Sequence, residues 1–170
     1  LRTIAAALGR EERAEAFLVV ELRRLAPVLE WVIPRVFLNR AFVFAGDPYL
    51  YAGWKSLESE VGLRLTGAFF NAGPQHDDGA ERGDIVTAFE PSVEALRRSW
   101  HTLRDEGAEL LVASSDVLAH LSPDGARLEF GFPSVDWHCL RDTPYLGLRG
   151  CAHLLERLAS VLTRRDAEAA

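Results

Sequence analysis

The chain has 170 residues, of which 48% are hydrophobic and 26% charged, with a net charge of −6. That composition describes one ordinary globular domain, or one domain with an appendage, and the acidic balance excludes an electrostatic nucleic-acid surface. No apolar stretch approaches the ~20 residues of a membrane span, no basic run or internal repeat occurs, and no signal peptide is expected. The two cysteines, Cys139 and Cys151, make no disulfide framework, so a reducing, cytoplasmic setting is expected. The chain holds no methionine and begins at Leu1, which leads us to expect a piece of a longer subunit.

Residues 11–38 read as a helical arm. Phe17, Leu18, Leu22, Leu25, Leu29, Val32, Ile33 and Val36 recur at spacings of three and four. Pro27 and Pro34 fall inside that pattern, and each would kink or break it, so one helix or two shorter ones fit equally. The arm's apolar residues, among them Phe17, Val20, Trp31 and Phe37, cover more than one face. A helix of that kind needs burial on more than one side, so the arm is expected to carry a partner surface and to drive self-association; the plainer alternative is that Pro27 and Pro34 fold it back and the domain itself buries both sides.

Ala41-Phe42-Val43-Phe44-Ala45 is a short continuous apolar run, as in a parallel strand buried on both faces. Gly46-Asp47-Pro48 ends it, and Asp47 suits the N-cap of a helix over about 48–61 that Gly62 stops. A second strand over 63–70 completes a βαβ unit. Residues 71–84, with three glycines, a proline, His76 and four acidic residues, read as a mobile loop. A third, weaker strand covers 84–89. Pro91 opens a helix with Val93, Leu96, Trp100 and Leu103 inward, and Gly107 stops it. A fourth strand over 109–114 leads to Ser114-Ser115, where Ser115 is expected to cap a short helix ending near His120. A fifth strand over 128–132 ends at Gly131-Phe132-Pro133. Gly147 and Gly150 open a last helix striped by Leu148, Cys151, Leu155, Leu158 and Leu162.

This alternation predicts a doubly wound, Rossmann-like α/β domain with a mainly parallel sheet of four or five strands and an N-terminal helical arm. The expected divisions are an arm over 1–40, the α/β domain over 41–165 and a frayed tail over 166–170. Ligands of such sheets meet the carboxyl ends of the strands. The exits at Gly46 and Asp47, at Ser114 and Ser115, and in the turn holding Asp136 and His138 are expected to converge on one edge. Gly46, Asp47, Ser114, Ser115 and Gly147 are thus candidate cofactor-binding positions. His138 and Asp136 are candidate catalytic groups, and His138 and Cys139 candidate metal ligands. A plainer reading stands beside each: Asp47 as a helix cap, Ser114 and Ser115 as a cap pair, His138 bonded to a backbone carbonyl or a subunit interface, Cys151 as core, and the other histidines as solvated. No Gly-x-Gly-x-x-Gly or P-loop lysine follows the first strand, and Asp47 would repel a phosphate, which argues against a nucleotide site.

Four ordered motifs, Gly46-Asp47-Pro48, Leu110 to Ser115, Gly131-Phe132-Pro133 with Asp136, and Leu146-Gly147 with Gly150, resemble the C-terminal Rossmann-like domain of nitrogenase component 1-type proteins. That superfamily comprises nitrogenase subunits, cofactor-assembly scaffolds and light-independent (proto)chlorophyllide reductases. The pattern is most similar to β-type subunits, matched at Asp136, His138, Leu140, Leu146, Gly147 and Gly150. Trp137 and Leu148 depart from it, and Pro144-Tyr145 is more like the α-type, in which a histidine of this turn ligates a metal cluster. His138 is the one residue able to take that role here, one residue short of the α-type spacing. The resemblance implies multi-electron reduction fed by an ATP-dependent iron–sulfur reductase, a homologous partner subunit in an α/β pair, and a likeness to oligomers. It also implies an iron–sulfur or related metal cluster, or a tetrapyrrole substrate, in the full complex. None is expected in the isolated domain, since two cysteines cannot supply the usual four ligands. The other reading is a non-catalytic assembly scaffold or binding domain of the same fold.

Overall fold

The computed structural model describes residues 1–77, 79, 82–121, 124–135 and 147–169. Two helices form the arm: α1 (Arg2–Ala7), absent from the sequence reading, and α2 (Glu11–Val32). Pro27 lies within α2 and does not end it. It removes the bond to the Arg23 carbonyl, but both residues are exposed, where solvent can satisfy that carbonyl at little cost. Pro34 is absorbed in a π turn, Ile33–Phe37, closed by the Leu38 N–H on the Ile33 carbonyl at 3.0 Å.

The sheet follows as β1 (Ala41–Gly46), β2 (Arg64–Phe70), β3 (Val86–Phe89), β4 (Ala108–Ala113) and β5 (Ala126–Glu129). Its order is β3-β2-β1-β4-β5, and every pairing is parallel. This is the doubly wound arrangement expected from the alternation of elements. The helices are α3 (Tyr51–Val61), α4 (Val93–Asp105), α5 (Ser115–His120) and α6 (Gly147–Ala169).

Strand alternation divides the core. Phe42 and Phe44 of β1 face one layer, with Trp54 and Leu57 of α3, Leu155, Leu158 and Leu162 of α6, and Val32 and Phe37 of the arm. Val43 and Ala45 face the other, with Leu96, Trp100 and Leu103 of α4 and Leu118 of α5. Trp54 ties the first layer together: its ring stands 5.8 Å from Phe44, 6.0 Å from Phe42 and 5.0 Å from Phe130.

Several local expectations shift. Asp47 caps a short 3-10 turn, Pro48–Leu50, by accepting the Tyr49 N–H at 2.9 Å, and α3 begins only after that turn. Gly62, at φ +76, ends α3 in the left-handed region as expected. α4 starts at Val93 rather than at Pro91, and Ser92 caps it, its hydroxyl accepting the Ala95 N–H at 3.2 Å. Val93 is exposed, so the inner face of α4 starts at Leu96. The fifth strand covers 126–129 where 128–132 was expected: Ala126 and Leu128 are its buried members, and Gly131, at φ +115, turns the chain away. Cys151 is exposed, not core; the fully buried stripe of α6 begins at Leu155. Although its side chain reaches solvent, the protein atoms crowding it desolvate the thiol, and this, then the Glu60 carboxylate, raises it above the ordinary range, which disfavours a thiolate.

At the amino edge of the sheet, Arg40 holds three segments. Its Nη1 donates to Glu109 at 3.2 Å and to Asp166 at 3.0 Å, and Arg165 also donates to Glu109. The last helix thus continues past 165, anchored at Asp166. The hydrogen bond from Arg40 holds the Asp166 carboxyl below its usual range. A depressed carboxyl contributes stability above its unfolded pKa and loses it as pH falls through the folded one. Asp166→Asn is therefore expected to cost about 0.5 kcal/mol near neutral pH, small because the side chain is 44% exposed. The difference from the parent should begin to shrink as pH falls below about 4, the ordinary carboxylate range, and vanish only below the lower value of the folded carboxyl, as read by urea titrations. Trp54→Ala is expected to cost about 3–5 kcal/mol by urea unfolding, through the cavity left among Phe42, Phe44 and Phe130.

Candidate functional site

The strand exits at Gly46, Ser114 and Pro133 line one cleft of about 690 Å³ at the carboxyl edge. This is where a doubly wound sheet reverses its winding, between β1 and β4. Asp47, Asn71, Ser114 and Asp116 supply its polar groups. Tyr49, Phe130 and Phe132 supply aromatic surface, with Tyr49 80% and Phe132 91% exposed at the rim. The described lining holds two carboxylates and no cation, so the cleft disfavours a phosphate.

Each candidate can now be placed. Gly46 and Asp47 lie in the cleft, with one oxygen of Asp47 occupied as a cap by the Tyr49 N–H. Ser114 lies there too, nine-tenths buried, at the N-cap position of α5 without a side-chain cap bond. Ser115 does not cap α5 as expected. Its hydroxyl donates to the Glu129 carboxylate and accepts the Val135 N–H at 2.8 Å, while its own N–H donates to the Pro133 carbonyl at 3.1 Å. Burial explains the change: at 3% exposure Ser115 faces β5, not the helix end. It therefore positions the 133–135 turn rather than lining the cleft. Gly147 opens α6 at φ +75 and is not among the cleft's lining residues. Asp136, His138 and Cys139 lie outside the described residues.

Sequence reasoning missed three groups near this edge. Glu129 and Arg157 come from β5 and α6; Arg157, 9% exposed, donates to the Glu129 carbonyl at 2.9 Å. Arg82 fixes the loop after β2. Its guanidinium carbon lies 5.3–5.6 Å from the ring centres of Tyr51, Phe70 and Phe89, and it donates to Asp77 at 2.6 Å. The same loop sets His76 edge-on to Tyr49, 6.5 Å between centres, so it buttresses the rim. A lone arginine in a glycine-rich loop, followed by β3, carries no local sign of such a cage.

A second cleft, of about 580 Å³, opens near the amino ends of β2 and β3. Its Lys55 is paired with Glu58, whose other oxygen accepts the Leu65 N–H at 2.9 Å, and its Arg82 is held as described. These polar groups serve the fold, so the carboxyl edge is the better candidate.

A metal cluster needs thiolate or imidazole donors. The described lining offers oxygen donors, and no group of three metal-binding side chains occurs among the described residues, so this part of the wall does not fit a cluster.

Residues 1–163 match the family described as nitrogenase component 1 type oxidoreductase, and the chain belongs to that family. It is 26% identical over 159 residues to the nitrogenase iron-iron protein alpha chain of Rhodobacter capsulatus, a match covering 88% of this chain and 28% of that relative. Two solved structures share the fold. "Nitrogenase Cp1 at pH 6.5" superposes with a TM-score of 0.75 at 16% identity, covering 99% of this chain and 37% of that one. "Nitrogenase Cp1 at pH 5" gives 0.66 at 13% identity, covering 98% and 39%. The chain thus spans well under half the length of each. The sequence reading expected a likeness to β-type subunits; the relative matched here is an α chain. No described helix is long and apolar enough to cross a membrane.

Ser115→Ala removes the acceptor for the Val135 N–H and the donor to Glu129. It is expected to cost about 1–2 kcal/mol. Hydrogen exchange at Val135 should quicken while the amides of β4 keep their protection, because the loss is confined to the turn.

Proposed function

We propose that this chain is a domain of a nitrogenase-like, component 1-type oxidoreductase subunit that supports multi-electron reduction, its electrons supplied by an ATP-dependent iron–sulfur reductase. The observation that supports this most is the carboxyl-edge cleft in a chain of this family. The exits at Gly46, Ser114 and Pro133 converge on one concave surface with an aromatic rim. The working setting is a reducing cytoplasm, and the working partner a homologous subunit.

The domain's part in that reaction is to shape a wall. Phe132 and Tyr49 give exposed aromatic surface at the rim against which an apolar group can dock, and Ser114 offers a hydroxyl from a nine-tenths buried position. Asp47 and Asp116 make the wall negative, which favours a neutral or positively charged group against it. Ser115 and Arg157 hold Glu129 and the 133–135 turn, and so fix where Phe132 stands. His138 and Cys139, which lie beyond the described turn, remain the candidates for metal ligation. Any cluster of the full complex would supply the redox chemistry.

The test uses a longer polypeptide containing this chain, purified with its partner subunit and assayed for ATP- and reductase-dependent substrate reduction. Phe132→Ala and Ser114→Val are expected to lower turnover by about tenfold, equivalent to ~1.4 kcal/mol of barrier, while the circular dichroism stays unchanged. Full activity in both variants would remove the cleft from the reaction. No ATP-dependent electron uptake by the parent would overturn the oxidoreductase reading.

A further inference from the structure

The carboxyl-edge cleft has a polarity that the packing of the domain does not use. Ser114 is 9% exposed, and its hydroxyl bonds to no group among the described residues. Its oxygen is not sealed off, and the surface it keeps lies in the cleft that the residue lines. A hydroxyl so placed is satisfied by whatever occupies the cleft.

The other free polar atoms around it are mainly acceptors. Asp47 gives one carboxylate oxygen to the Tyr49 N–H and has the second to offer. Asp116 is exposed, and His120 Nδ1, 3.9 Å from its carboxylate, is engaged by the Asp116 carbonyl at 2.7 Å. A hollow of about 90 Å³ continues the cleft past Asn71 and Val117 and is lined by Glu90, a third carboxylate. No lysine or arginine lines either part among the described residues. A concave wall of one charge sign focuses its field and concentrates ions of the other sign.

The remaining walls decide which cation fits. A hard metal ion needs roughly six oxygen ligands, and no group of three metal-binding side chains occurs among the described residues. Tyr49 and Phe132 at the rim and Phe130 within supply aromatic surface, which attracts a cation of diffuse charge. We propose that the cleft binds a small organic cation whose charge is spread over a flat set of N–H donors, an amidinium or guanidinium carried on an aromatic body. Its N–H groups donate to the Asp47 and Asp116 carboxylates and to the Ser114 oxygen, as a planar fork suits oxygen acceptors. Its ring lies against Phe132 and Tyr49. A cleft of about 690 Å³ is of ordinary size for such a ligand. The proposal rests on the reading of this cleft as the working surface of the domain, and not on the source of its electrons.

Amide-detected NMR titration of the 170-residue chain with benzamidinium, benzamide and benzoate tests this, because the three share one shape and differ in charge. Benzamidinium is expected to saturate with a Kd of about 1 mM, ordinary for so small a ligand, and to shift the amides of Asp47, Ser114 and Asp116. Benzamide should bind at least tenfold more weakly, and benzoate should shift none of these amides. Asp47→Asn keeps an oxygen for the Tyr49 cap while removing the charge, and Ser114→Ala removes a hydroxyl that no helix bond uses. Both should therefore keep the native circular dichroism, and each should weaken benzamidinium at least threefold. ATP-dependent electron uptake is measured separately, so a failure of binding leaves the oxidoreductase reading standing. Benzamidinium that does not bind, that shifts only amides away from the cleft, that binds no better than benzamide, or that is indifferent to both substitutions overturns the proposal.

Discussion

The fold depends on a single strand that is enclosed on every side. β1 has a parallel neighbour along each edge, β2 and β4, and a layer of helices against each face. Ala41 to Ala45 are at most 2% exposed. A strand so placed can carry no polar side chain, because no partner or water would satisfy it. The five apolar residues are the solution, and their alternation sets which helices lie on which side. Phe42 and Phe44 demand the large layer built around Trp54; Val43 and Ala45 accept the tighter one built around Trp100 and Leu103.

Polar chemistry is consequently pushed to the two ends of the strand. At the amino end Arg40 gathers Glu109 and Asp166, and that network serves cohesion. At the carboxyl end the chain turns sharply at Gly46-Asp47, Ser114-Ser115 and Gly131-Phe132-Pro133, which leaves a concavity that no hydrophobic layer among the described residues fills. The same apolar packing that makes the strand stable thereby makes the cleft. The cleft's aromatic floor, Phe130, is held by Trp54, so core and site share one residue.

Much of this was legible because it is local. Buried parallel strands show as short apolar runs, and turn residues such as Asp47 and Gly62 act within a few positions of themselves. The parallel sheet and the convergence of three exits could therefore be read from pattern alone. What escaped is long-range or marginal. Cys151 obeys the stripe of α6 but sits ahead of the point where the helix meets the core. Ser115 looks like a cap, yet its partners, Glu129 and Val135, arrive from fourteen and twenty residues away. Arg82 and its ring cage join elements that share no periodicity. β5 is an edge strand of four residues, too short for alternation to fix its start. Asp136, His138 and Cys139 lie outside the described residues.

The pairing of β1 with β4 also has a consequence for how the chain is made. Between them come β2 and β3, both on the other side of β1. During synthesis the first three strands can therefore assemble while the edge of β1 that faces β4 stays open. That edge is an apolar run with unpaired backbone groups, the kind of surface that recruits foreign strands. Residue 113 follows residue 45 by sixty-eight positions. At about 5–20 residues per second, the ribosome leaves that edge uncovered for several seconds. Early protection of the nascent chain, rather than the stability of the finished domain, is where production of this protein would first fail.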